Sequence, residues 1–242
     1  WAVIALMVVF TVSDPRSNCY RNGKGIPGEV FEPADRPLVI GLGDSLLRHS
    51  APREQWLDNA RWLRLSIPGG NWSNYSQLLT DLEKLNPHHI FVQDALLLDR
   101  SDQQRYLVKA KNVIKSSIMS IIDWETDLCG YRKLDSGNFF NIHQNQPGKD
   151  KVEQLTRRYQ DTIHMDSAAA DFLEDLKNIS GGISVIHLPR AKSLGVKALD
   201  QQWLPFLEAE LAAQNIALNI VGTALPDDQY MDGAHVNVKG RN

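Results

Sequence analysis

The chain has 242 residues, 43% of them hydrophobic and 23% charged, enough for one large globular domain with a proper core. Its net charge of −3 lacks the basic excess that marks a phosphate-binding surface, so nucleic acid is not an expected partner. Long runs of like charge and internal repeats are absent from the sequence.

The first stretch, Trp1 to Val12, is apolar and uncharged. A bilayer span needs about 20 such residues, so this stretch alone is too short. It reads as the end of a signal peptide or of an N-terminal membrane anchor. The protein is then exported, either periplasmic or anchored and facing outside the cytoplasm; the alternative is a buried first strand or helix. Residues 13–36 carry Asp14-Pro15, Gly23-Lys24-Gly25, Pro27-Gly28 and Glu32-Pro33 and read as a linker. The domain proper is expected over residues 37–242. Cys19 and Cys129 are the only cysteines. They cannot build a metal site alone and form no CxxC; a disulfide and two free thiols both stay open.

From Pro37 the pattern alternates. Leu38 to Leu42 is a short apolar run bounded by Pro and Gly, as for a buried parallel strand. Trp62 to Ile67 is a second predicted strand, ended by Pro68-Gly69-Gly70. Ser73 to Leu85 has helical spacing, with Leu78, Leu79, Leu82 and Leu85 on one face. His89 to Val92 is a third strand, and Gln103 to Met119 is helical. Residues 123–150 are polar and irregular and read as an inserted surface loop. Residues 151–178 form one long amphipathic helix or a pair. Ile183 to Leu188 is a fourth strand, Leu199 to Ala213 a helix, and Ile216 to Val221 a fifth strand.

Strands alternating with helices imply a parallel sheet covered on both faces. Ligands bind such sheets beyond the carboxyl ends of the strands. Ser45 directly follows strand one, Gly69 and Gly70 follow strand two, and Asp232 and His235 lie after strand five. All three groups therefore belong to one edge of the sheet.

The residues at that edge have the chemistry of a nucleophilic triad. A serine hydroxyl attacks poorly until a base takes its proton. His235 is the candidate base, and Asp232, three residues before it, is the candidate to orient the ring and stabilise the imidazolium. Separately, each motif has a plainer explanation. Gly-Asp-Ser after a strand can simply cap the next helix, and Asp-Gly is an ordinary turn.

Gly43-Asp44-Ser45-Leu46 near the start and Asp232-Gly233-Ala234-His235 near the end resemble the two terminal motifs of the SGNH (GDSL-type) hydrolase family. The serine comes early and outside a Gly-x-Ser-x-Gly elbow, unlike in the α/β-hydrolases. The resemblance covers residues 37–242. It implies an α/β fold: a three-layer α/β/α sandwich, flavodoxin-like, with a central parallel sheet of about five strands. Family members usually continue into a final helix after the His motif, so this chain, which stops at Asn242, is expected to be a fragment lacking its C-terminal cover.

The family's second block supplies a glycine N–H to the oxyanion. Ser66 to Asn71 occupies that place here, with Gly70 preferred to Gly69, and the Ser45 N–H is a second donor. The third block departs from the pattern. The family has Gly-x-Asn-Asp after strand three, its Asn side chain serving as an oxyanion donor. Here the strand runs Ile90-Phe91-Val92-Gln93-Asp94. Gln93 carries the same amide on a longer stem and is the candidate substitute; Asp94 is free to bond nearby loops instead.

Other residues point to packing. His88 and His89 start a strand, at the wrong end for the site. His187 ends strand four and reads as a core or loop histidine. His143 and His164 lack metal-ligand spacing. Trp72, Tyr75 and Trp124 fit core packing better than a sugar cleft, and Asp123, Glu125 and Asp127 make an unconvincing glycosidase pair. The expected activity is hydrolysis or transfer of acyl groups, acetyl above all, on a small-molecule or polysaccharide ester such as cell-envelope carbohydrate, with no metal or organic cofactor. A lipase or thioesterase acting on acyl lipids is the rival, and a catalytically inactive carbohydrate-binding module of the same fold is the alternative from a different class.

Overall fold

The computed structural model describes residues 35–52, 54–67, 70–98, 164–188, 190, 203–222, 225–230 and 235–241. The predicted apolar start, most of the linker, the 103–119 helix and the 123–150 loop, with Cys19, Cys129, Trp124 and His143, lie outside these residues, as do Gly69 and Asp232.

Among the described residues the fold is α/β, built on a mixed sheet. The strands are β1 (Leu38–Gly43), β2 (Glu54–Trp56), β3 (Arg61–Ser66), β4 (His89–Gln93), β5 (Ile183–His187) and β6 (Ala217–Ile220). Their spatial order is β2-β3-β1-β4-β5-β6. All neighbours run parallel except β2, which pairs antiparallel with β3 through Glu54↔Leu63 and Trp56↔Arg61. The short edge strand β2 is not among the predicted elements. The other five are, within one residue at each end.

Side-chain alternation divides the sheet into two chemically different faces. Leu38, Ile40 and Leu42 of β1 share one core with Leu63, Leu65, Ile90, Val92, Ile183 and Val185. The opposite face carries Gly41, Gly43, Trp62, Arg64, Ser66, Phe91 and Gln93. Here a smaller cluster joins Leu46, Leu47, Ala95, Ile186 and Leu188, with Phe91 packed against it. Helices therefore contribute to cores on both faces, as an α/β/α layering requires.

Among the described residues the α-helices are α1 (Ser45–Ser50), α2 (Trp72–Ser76), α3 (Leu79–Lys84), α4 (Ser167–Asn178), α5 (Leu204–Ala213) and α6 (Val238–Arg241). The predicted Ser73–Leu85 helix is thus two helices. Ser76 Oγ donates to the Ser73 carbonyl at 3.0 Å, and the Leu78 N–H reaches back only to Tyr75 O at 2.8 Å. Side-chain competition for backbone carbonyls in this Ser/Asn-rich turn interrupts the helical ladder. Tyr75, Leu78 and Leu82 still reach the core. α4 buries Ala169, Phe172, Leu173 and Leu176, the spacing of a single apolar stripe. Asn86 and Asn215, with φ of 47° and 55°, follow α3 and α5 and end both helices in the left-handed region, which Asn tolerates.

Candidate active site

The site is assembled where β1 ends. β1 and β4 are neighbours although β2 and β3 intervene in sequence, so the chain leaves in opposite directions on the two sides of this crevice, the usual ligand position in open α/β sheets. Gly43 ends β1, Asp44 caps α1 by accepting the Leu46 N–H at 2.8 Å, and Ser45 opens the helix. The plainer reading of Gly-Asp-Ser, a helix cap, is thus correct for Asp44 and compatible with a chemical role for Ser45.

Ser45 Oγ and His235 Nε2 are 2.7 Å apart. Both side chains are half-buried, shielded yet open to an incoming group. His235 is held in place by the segment C-terminal to it. Asn237 Nδ2 donates to Asp228 O at 2.8 Å and its N–H to Gln229 O at 2.9 Å. Asn237 Oδ1 accepts the N–H groups of Lys239 and Gly240 at 2.9 and 3.1 Å, capping α6. Tyr230 and Val236 add an antiparallel bridge. The His49 ring, one turn after Ser45 on α1, meets the His235 ring edge-on at 5.0 Å.

The amides around Ser45 are almost all engaged. Asp44 N–H donates to Gln93 Oε1 at 2.9 Å, Leu47 N–H to the same oxygen at 3.3 Å, Leu46 N–H to Asp44 Oδ1, and Arg48 N–H to Asp44 O at 3.2 Å. Among the described residues, Ser45 N–H alone in this run has no acceptor. Gln93 Nε2 donates to Asp44 Oδ1 at 2.9 Å, and Gln93 is 0% exposed.

Gly70, predicted as an oxyanion donor, gives its N–H to Ile67 O at 2.7 Å. It closes a tight turn instead of presenting a donor. The end of β3 is nevertheless tied to the turn that carries Ser45: Ile67 N–H donates to Gly43 O at 2.9 Å, and Tyr75 Oη lies 2.6 Å from Gly43 O and 2.9 Å from Leu65 O. Tyr75 is fully buried and Trp72 packs on the core, as predicted for both.

No protein-family model, curated protein or solved structure matches this chain.

Asp94 and His187 form a buried pair that sequence reasoning did not assemble. His187 Nδ1 donates to Asp94 Oδ2 at 2.8 Å and Trp203 Nε1 to the same oxygen at 3.0 Å. Burial pushes the Asp94 carboxyl up. The His187 hydrogen bond and charge, the Arg190 charge and the Trp203 hydrogen bond outweigh it and hold the carboxyl below its ordinary value. The only signal in the sequence was an acid directly after a buried strand. His89, at the far end of β4, bonds Ser184 Oγ at 3.0 Å, while His88 and His164 are exposed. Among the described residues no cluster of His, Cys, Asp and Glu could hold a metal ion, and no helix is long and apolar enough to cross a membrane.

Proposed function

We propose that this chain is a serine esterase of the SGNH type on a three-layer α/β/α sandwich, cleaving or transferring acyl groups. The observation that carries this is the 2.7 Å approach of Ser45 Oγ to His235 Nε2. With Nε2 unprotonated, His235 takes the hydroxyl proton as Oγ attacks the ester carbonyl. The Ser45 N–H, free in the resting turn, donates to the developing oxyanion. Collapse of the intermediate breaks the ester C–O bond. The His235 proton passes to the leaving alcohol, and the acyl group stays on Ser45. Water, or an acceptor hydroxyl, then gives its proton to His235 as its oxygen bonds the acyl carbon; the acyl–Oγ bond breaks and the His235 proton returns to Ser45 Oγ. Asp232 is assigned the orienting role, from its place three residues before His235. This chemistry calls on no metal or organic cofactor.

Acetyl on cell-envelope carbohydrate is the preferred substrate. It joins the family resemblance to the apolar residues 1–12, read as an export signal or anchor. The engagement of Gly70 and Gln93 elsewhere favours one second reading, a carbohydrate-binding module with too few oxyanion donors to turn over.

The test is hydrolysis of p-nitrophenyl acetate and longer esters by the unaltered chain, S45A and H235A. The expected outcome is acetate hydrolysis that either substitution lowers on the order of 10⁴- to 10⁶-fold in kcat. Preference for long acyl chains would move the assignment to a lipase or thioesterase. Failure of a fluorophosphonate to label Ser45 would leave the binding module.

A further inference from the structure

Gln93 stands where the resemblance puts an oxyanion donor, yet its amide faces the nucleophile turn. Its Oε1 accepts from Asp44 N–H and Leu47 N–H, and its Nε2 donates to Asp44 Oδ1. Only glycine at position 43 admits this approach, since a Cβ there would stand 2.6 Å from Gln93 Oε1. With 0% of its surface exposed, Gln93 has no face left toward a substrate.

We infer that Gln93 is a positioning residue for the proposed esterase reaction. It clamps residues 44–47 and, by taking the amides on either side, leaves Ser45 N–H as the oxyanion donor. This rests on the esterase assignment and deepens it. The longer stem is essential. One amide must meet the backbone of Asp44 and Leu47 and the Asp44 carboxylate at once, and asparagine, one methylene shorter, cannot bridge them. Asp94, the next residue, anchors the clamp from behind through His187 and Trp203.

The experiment compares Gln93→Asn, Gln93→Glu and the double variant Asp44→Asn/Gln93→Glu, each checked for thermal unfolding. An oxyanion donor and a clamp predict opposite results. Q93N keeps the amide, and restores the residue type used in the resembling family, so a donor role leaves kcat near the unaltered value. The clamp predicts a loss of about 10²-fold in kcat with KM little changed, the cost of a slightly misplaced nucleophile. Q93E faces the Asp44 carboxylate with a second one and falls at least as far. Adding D44N removes that repulsion and offers an amide donor to the introduced carboxylate, so the double variant recovers about ten-fold over Q93E. A carboxylate aimed at an oxyanion would gain nothing from a change at residue 44.

Unimpaired Q93N, or a double variant no better than Q93E, overturns the clamp. If Q93E does not fold, Q93N decides alone. Absence of Ser45-dependent hydrolysis and labelling in the unaltered chain overturns the esterase assignment itself. The two failures are therefore distinguishable.

Discussion

At the scale of single residues, the turn that carries Ser45 depends on a missing side chain. Gly43 lets Leu47 and Gln93 close over the end of β1. Adding one methyl in Gly43→Ala is expected to cost about 1–3 kcal/mol, the usual penalty for overpacking, and to slow fluorophosphonate labelling of Ser45 more than it lowers the melting temperature. Tyr75 makes the complementary contribution from α2. Its phenol lies within hydrogen-bond distance of Gly43 O, Leu65 O and Ile67 N. Tyr75→Phe leaves the ring in the core and removes only the hydroxyl, so a loss of about 1–3 kcal/mol is expected. Thermal unfolding checks it, at about 2–4 °C per kcal/mol for a chain of this size.

The elements divide into those that announce themselves and those that tertiary contacts create. β1, β4 and β5 are legible because each is a short, mostly apolar run with Gly or Pro nearby, the mark of a strand buried on both faces, and β3 because Leu63 and Leu65 alternate with Arg64 and Ser66 before Pro68-Gly69-Gly70. β2 is not legible. Three residues cannot show a period, and Glu54–Trp56 becomes a strand only by pairing with β3. The α2–α3 break was hidden because Tyr75, Leu78 and Leu82 keep helical spacing across it while the interruption lies in hydroxyl-to-carbonyl bonds. α6 depends on Asn237, whose side chain caps it and ties it to Asp228. Asn237→Ala removes both functions, so a loss of about 1–2 kcal/mol is expected. Labelling of Ser45 should also slow, because His235 loses its support from behind. The rate of inactivation by a fluorophosphonate, set against the melting temperature, measures both effects.

At the scale of the whole molecule, Asp94 joins the end of β4 to the end of β5 and to Trp203 beside α5, 109 residues away. No local pattern could reveal such a junction, whereas Ser45 and His235 were readable because each sits in a short motif. The direction of the amide of Gln93 was equally hidden, since an amide donates and accepts and only its neighbours decide which. The Asp94 carboxyl titrates below its ordinary value of 3.8 in the folded chain. Its stabilising contribution is therefore complete above about that pH and is lost as pH falls through the lower folded-state value. Asp94→Asn should cost about 3 kcal/mol or more at neutral pH, since it breaks a buried pair. The gap between variant and unaltered chain should then narrow in acid. Denaturant melts at pH 7, 4 and 3 would show whether it does.

Ser45 and His235 are separated by 190 positions along the chain. A ribosome therefore releases the hydroxyl long before the imidazole proposed to activate it, and on that proposal the nascent polypeptide carries an inert alcohol. On the esterase proposal, reactivity arises only once the late segment has docked beside α1, and covalent capture of Ser45 would report completed folding. A protease cut anywhere between the two that frees the later piece would silence the centre without touching either group.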